Sequence, residues 1–178
     1  MPGPVLLGKN ALFAAISLAV ALPAPALAQG EITRIKRNPA AIILEAARVN
    51  AGADVMYVSG QLPTPLDPAM PMSEVTSLDQ MGDTRQQTIS TLARIEDVLA
   101  TEGFTMADVV KLNVFVKADP RIGAMDFAGM NAGFREFFGT EANPNTTARS
   151  TFEVAGLVGP YFLIEIDAIA ARAPQGSD

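Results

Sequence analysis

Between Val109 and Lys117 apolar and polar residues take turns. Val110, Leu112, Val114 and Val116 are apolar, whereas Lys111, Asn113 and Lys117 are charged or polar. A period of two puts each set on its own side of an extended chain, so the segment reads as a strand with one buried and one wet face. From Leu78 to Ala100 the period changes. Met81, Thr88, Leu92, Ile95 and Leu99 recur at helical spacing, Ile89 and Val98 widen the stripe, and Gly103 suits a C-terminal cap. Met125 to Phe138 reads as a second helix, with Met130, Phe134, Phe137 and Phe138 on its apolar side and Gly139 at its end.

Strands are expected at Ile32–Lys36 and Val55–Ser59, and two more at Thr147–Val154 and Tyr161–Ala170, joined through Gly156 and Gly159-Pro160. Leu44 to Asn50 fits either a short helix or a strand. Pro63, Pro65, Pro68 and Pro71 make 62–72 a loop. Helices alternate with strands while the ends contribute hairpin-like pairs. That order predicts an α+β fold, a single mixed β-sheet with two helices packed on one face. The opposite face then lies uncovered, and a partner, most simply another copy of the chain, is expected to cover it.

Two residues in the closing strands break the apolar pattern. Arg149 stands near the start of one, and Glu165 lies between Ile164 and Ile166 in the other. An ionised group inside an apolar sheet costs several kcal/mol unless it is paired or used. Arg149 shares a face with Thr151 and Glu153, and Glu165 with Leu163 and Asp167. If the two strands pair, Arg149 and Glu165 reach one cleft; the register that would decide it is not written in the sequence.

Composition narrows the chemistry. The 178 residues include no cysteine and no histidine, which removes thiol nucleophiles, His-based triads and the usual zinc or iron sites. With 13 basic against 19 acidic residues the chain lacks the basic balance of a nucleic-acid surface. Residues 1–28 read as a signal peptide: Lys9, an apolar run from Ala11 to Leu22, a Pro23-Ala24-Pro25 break and an Ala26-Leu27-Ala28 cleavage signal. The run is shorter than the about 20 residues a membrane span needs. Removing Lys9 with the leader leaves 12 basic against 19 acidic residues, a net charge of −7. The expected division is a leader at 1–28, one domain at 29–172 and a tail at 173–178, with the mature protein periplasmic and free of the membrane.

Several motifs in order now carry a resemblance. Ser59-Gly60-Gln61-Leu62-Pro63, Gln87-Thr88, Asp108-Val109-Val110-Lys111, Met130-Asn131 with Phe134, Ala148-Arg149-Ser150-Thr151 and Ile164-Glu165-Ile166-Asp167-Ala168 together resemble the reactive-intermediate deaminase family, RidA or YjgF. The resemblance runs from about Val55 to Ala170. It implies a homotrimer of chorismate-mutase-like fold with its sites in clefts between subunits. It implies hydrolysis of enamines and imines to 2-keto acids and ammonia, with no cofactor and no metal. On that resemblance Arg149 binds the substrate carboxylate and Glu165 orients the water, with Ser59, Asn131, Phe134 and Thr151 as substrate neighbours. Thr151 stands where the family commonly has a cysteine that acts through its backbone. The family's glycine-proline-tyrosine segment corresponds to Ile42–Ala47, which holds no tyrosine; that departure and the leader both point away from 2-aminoacrylate as the substrate.

The chemistry stands on the residue types as well. A guanidinium holds a carboxylate through two parallel hydrogen bonds, and a nearby carboxylate can orient water and carry its proton to a departing nitrogen. Imine hydrolysis needs only positioning and proton transfer, which a chain without His or Cys can supply. A second class of function fits the same scaffold: a periplasmic small-ligand-binding or interaction protein without turnover.

Overall fold

Strand β4 (Val109–Lys117) is the spine of the sheet, paired antiparallel with β6 (Ile164–Arg172) and parallel with β5 (Ala148–Val154). The structure is a computed structural model that describes residues 30–174, besides Met1 and Gly3. The expected leader and the end of the expected tail lie outside the described residues. Before β4 come β1 (Ile32–Ile35), β2 (Ala46–Val49), β3 (Asp54–Gln61) and helix α1 (Thr84–Ala100); helix α2 (Phe127–Phe134) lies between β4 and β5. The main sheet has the order β3-β6-β4-β5, and β1 and β2 form a separate antiparallel hairpin. A parallel bridge from Leu44 to Ala148 ties the hairpin to β5. The fold is therefore α+β, two helices on a mixed sheet.

The alternation in β4 holds from Leu112 to Lys117; a register shift at Val109–Lys111 breaks it before that, so Val109 rather than the expected Val110 joins the core cluster. Leu112, Val114 and Val116 are buried towards the helices together with Ile164, Ile166, Ala168 and Ala170 of β6. Leu92, Ile95 and Leu99 of α1 and Met130 and Phe134 of α2 close the other side of that core. The opposite face of the sheet is open. It carries Lys111, Asn113 and Phe115 of β4 beside Glu165, Asp167 and Ile169 of β6, with Val55 and Tyr57 of β3 and Phe152 of β5 exposed along its edges.

Several expected boundaries are corrected. The ambiguous stretch at 44–50 contributes a strand, because β2 takes its backbone partners from β1. The first helix starts at Thr84 rather than Leu78. Gly82 adopts φ +81°, and Asp83 then caps the helix by accepting from the Gln86 N–H, leaving Leu78–Gln80 as a separate 3₁₀ turn. The second helix is shorter than 125–138; Asp126 caps it and it gives way to turns after Phe134. The two closing strands are not neighbours, since β4 runs between them. Gly103 does end α1, at φ +68°, with the Phe104 N–H donating back to Leu99 O.

The two helices approach closely at Gly133. A Cβ there would sit 2.8 Å from Cβ of Thr88 and 2.9 Å from the Arg85 carbonyl oxygen, which is backbone and cannot rotate aside. Gly133→Ala should therefore lower the free energy of unfolding by about 1–3 kcal/mol. Gly156→Ala, at a site with nothing within 4 Å, should stay within about 0.5 kcal/mol of wild type in the same urea titrations. Equal effects of the two changes would refute the close packing.

Candidate active site

Arg149 lies on β5, an edge strand of the main sheet, opposite Leu112 of β4, so its side chain shares the helix-facing side with that core residue. There it meets one face of α2. Its Nη2 donates to Oδ1 of Asn131 at 2.6 Å, and its guanidinium carbon sits 4.5 Å from the ring centroid of Phe134 and 6.0 Å from that of Phe127. Asn131, Phe134 and Phe127 fall at three- and four-residue steps, which is why one helix presents all three to the same cation. Phe134 is itself 1% exposed and stacks on Phe138 at 4.7 Å, so the platform under the arginine is part of the core.

The electrostatics are unusual for a structural arginine. Among the described residues no carboxylate pairs with Arg149, and its Nη1 is buried without a hydrogen-bond partner. Burial, with repulsion from Arg135 second, lowers its pKa from the ordinary arginine value to about 10. A planar guanidinium fixed by an amide, backed by aromatic rings and left with an unused N–H is arranged to receive a planar anion. Thr151, two residues on, shares the helix-facing side of β5 and is half-buried.

Glu165 belongs to a different corner. It pairs in register with Phe115 of β4 and so stands on the open face of the sheet, half-buried. The neighbouring strand β3 bulges there. Val58 pairs with Ala168 and Gln61 with Ile166, which leaves Ser59 and Gly60 together against Asp167. The bulge brings Gly60 against the carboxylate, and a Cβ on Gly60 would land on Oε1 of Glu165. Ser59 is exposed, and with Tyr57, Gly60, Asn113 and Asp167 it lines a cleft of about 360 Å³ on this face. Asn113 Nδ2 donates to Asp167 Oδ1 at 3.0 Å across that cleft.

The six residues singled out in the sequence thus fall into two groups. Arg149, Asn131 and Phe134 meet, with Thr151 beside them; Ser59 and Glu165 lie across the bulge. Leu112 and Phe115, the β4 partners of Arg149 and Glu165, are an odd number of positions apart, so the two charges occupy opposite faces of one protomer's sheet. The cleft expected from direct pairing of the closing strands does not form within a chain.

Two residues near the site had no role assigned from sequence. Gln87 of α1 is fully buried; its Nε2 donates to Tyr161 O at 3.0 Å and Gly82 O at 3.3 Å, while its Oε1 accepts from the Leu163 N–H at 2.7 Å. It thereby pins the chain two residues before Glu165. A buried amide on a helix's apolar stripe was the available signal. Gly60 is the other, and only the bulge shows that a side chain there would displace Glu165. Among the described residues no group of three or more His, Asp or Glu side chains gathers as a metal site.

Comparison with known proteins adds context to this geometry. The family model described as Endoribonuclease L-PSP matches residues 44–172. A RutC family protein of Haemophilus influenzae is 37% identical over 142 residues, covering 80% of this chain and 97% of the relative. A Salmonella typhimurium protein named 2-iminobutanoate/2-iminopropanoate deaminase is 36% identical over 134 residues, covering 75% and 91%. Among solved structures, the YjgF gene product of E. coli is 34% identical with a TM-score of 0.51, covering 67% of this chain and 81% of the other. A Rid family protein of unknown function from Yersinia pestis is 26% identical with a TM-score of 0.55, covering 72% and 86%.

Because Arg149 has no acid partner among the described residues, its removal should cost little stability. Arg149→Met is expected to unfold within about 1 kcal/mol of wild type in denaturant titrations, or above it, whereas breaking a buried ion pair costs about 3–5 kcal/mol. A loss of that larger size would show that the guanidinium is a structural element.

Proposed function

We propose that this chain, which belongs to the RidA/YjgF (Endoribonuclease L-PSP) family, hydrolyses small 2-imino acids to 2-keto acids and ammonia. The observation that carries the reading is the half-buried Arg149 guanidinium, fixed by Asn131 and Phe134 yet left with a free, buried N–H and no counter-ion. The names borne by relatives at about this similarity, imine deaminases among them, support the same class of reaction.

In the proposed reaction Arg149 receives the substrate carboxylate through paired hydrogen bonds. That fixes the adjacent C=N carbon. Glu165 orients a water, whose oxygen adds to that carbon as its proton passes through the carboxylate to the nitrogen. The resulting carbinolamine loses its C–N bond: Glu165 carries its hydroxyl proton to the nitrogen, the C=O bond forms, and ammonia departs. One water is consumed and no oxidant or reductant is needed.

Since Arg149 and Glu165 face opposite sides of one sheet, a site that uses both closes between copies of the chain. Arg149 stands on an edge strand, where a neighbour can approach. The open face, with Tyr57, Val55, Phe152 and Phe115, offers the apolar surface by which copies would associate, and a homotrimer is the assembly we propose. With the expected leader removed, this activity would lie in the periplasm.

The direct test generates an imine in situ from an amino acid with an oxidase and follows keto-acid release. Wild type should accelerate release over buffer. Glu165→Gln should lower kcat about 100-fold, and Arg149→Ala should act mainly on KM, by about 10- to 100-fold. No acceleration by wild type, or full activity in Arg149→Ala, would sink the proposal. Carboxylate binding that needs Arg149 without acceleration would favour the ligand-binding reading instead.

A pH dependence follows from the arginine. Its pKa of about 10 means that the empty site keeps its charge below that value and loses it as pH rises through it. Binding of pyruvate, measured by calorimetry on the folded protein, should weaken progressively between about pH 9 and 11. Affinity unchanged across that range would place the carboxylate elsewhere.

A further inference from the structure

Arg135 follows Asn131 by four residues, at the C-terminal end of α2, and its backbone N–H donates to Asn131 O at 3.2 Å. Residues four apart on a helix stand on the same side, one turn along. Arg135 is therefore the next side chain beyond the amide that holds Arg149. The two guanidinium groups sense each other, since Arg135 contributes to the depressed pKa of Arg149. Arg135 is exposed, and with Lys36, Phe138 and Thr146 it lines a cavity of about 270 Å³ under the chain at 39–42.

No carboxylate among the described residues pairs with Arg149, Arg135 or Lys36. Glu136, next to Arg135 in the chain, pairs with Arg85 at 2.7 Å, and Glu45 pairs with Arg37. In a chain where acidic residues outnumber basic ones by 19 to 13, three cations with no ion-pair partner among the described residues are a feature to be accounted for. A monocarboxylic imine uses only the first cation of the row.

We propose that the substrate of this site is a 2-imino acid with a second carboxylate on its side chain, Arg149 holding the carboxylate next to the imine and Arg135, with Lys36 behind it, holding the distal one. This rests on the imine-hydrolase reading above. Arg135 stands four residues, a rise of about 6 Å, beyond the Asn131 that holds Arg149, which is of the order of the span between the two carboxylates of a four- or five-carbon dicarboxylic acid. A second charged contact at an exposed position contributes discrimination of about two- to fivefold.

The test measures binding of product-like 2-keto acids to the mature protein by calorimetry. 2-Oxoglutarate is expected to bind about two- to fivefold more tightly than pyruvate. Arg135→Gln should bring that ratio close to one, Arg135→Glu should reverse it, and Lys36→Gln should move it in the same direction by less. Arg135 is exposed and carries no side-chain hydrogen bond, so these variants should keep the wild-type unfolding midpoint. Equal affinities for the two keto acids, or a ratio unmoved by Arg135→Gln, would overturn the assignment. Turnover is read separately, with imines made from glutamate and from alanine. If neither is hydrolysed faster than in buffer the hydrolase reading fails, while the binding ratio still decides whether Arg135 is a second carboxylate site.

Discussion

An arginine in a sheet, half-buried, backed by aromatic rings and given no acid to pair with, is a standing cost in desolvation that the rest of the fold has to carry. Everything around Arg149 is arranged to carry it. Asn131 supplies a neutral acceptor, which fixes the guanidinium without cancelling its charge. Phe134 offers the negative face of its ring, a partial compensation that leaves the N–H edge free. A carboxylate in the place of Asn131 would stabilise the fold better and would close the site to any other anion. The choice of an amide over an acid is thus what turns a structural liability into a binding position.

The same reasoning extends to the opposite corner. Glu165 is placed by backbone rather than by a partner side chain. The β3 bulge at Ser59–Gly60 makes room for its carboxylate, and Gln87 fastens Tyr161 and Leu163 to α1 just ahead of it. Gln87 uses both its amide nitrogen and its oxygen to hold Tyr161 and Leu163, so the start of β6 has little freedom to slide. One charge is therefore oriented by a helix and the other by a bulge, on opposite faces of a sheet whose central strand they share.

The parts of this arrangement that were legible in the sequence are those with a local cause. The alternation of Leu112 to Lys117 states which face of β4 is buried, and the spacing of Leu92, Ile95 and Leu99 states which face of α1 is. Arg149 and Glu165 stood out because charge within an apolar run is a local contradiction. What was hidden depends on pairing across distance. Ala46–Val49 shows no alternation and is a strand only because β1 supplies its partners. The adjacency of β5 to β4, in parallel, comes from the crossover through α2, so the two closing strands are separated despite following each other in the chain. Register then decides faces, and a shift of one residue would have put both charges on the same side.

Charge on two length scales bears on how such a site meets an anion. The whole chain carries a net charge of −6 and repels anions at a distance. The corner formed by Arg149, Arg135 and Lys36 attracts them only close by. Salt screens contributions beyond about 8–10 Å much more than contacts in a partly buried pocket. Moderate ionic strength therefore weakens the long-range repulsion more than the local attraction from Arg149, whereas exposed Arg135 loses more of its effect. A small monoanion gripped by Arg149 alone should be nearly indifferent to salt, and a dianion that depends on Arg135 as well should be sensitive to it. The buried cation fixes where the ligand sits, and the exposed one, one helical turn away, sets which ligand is preferred.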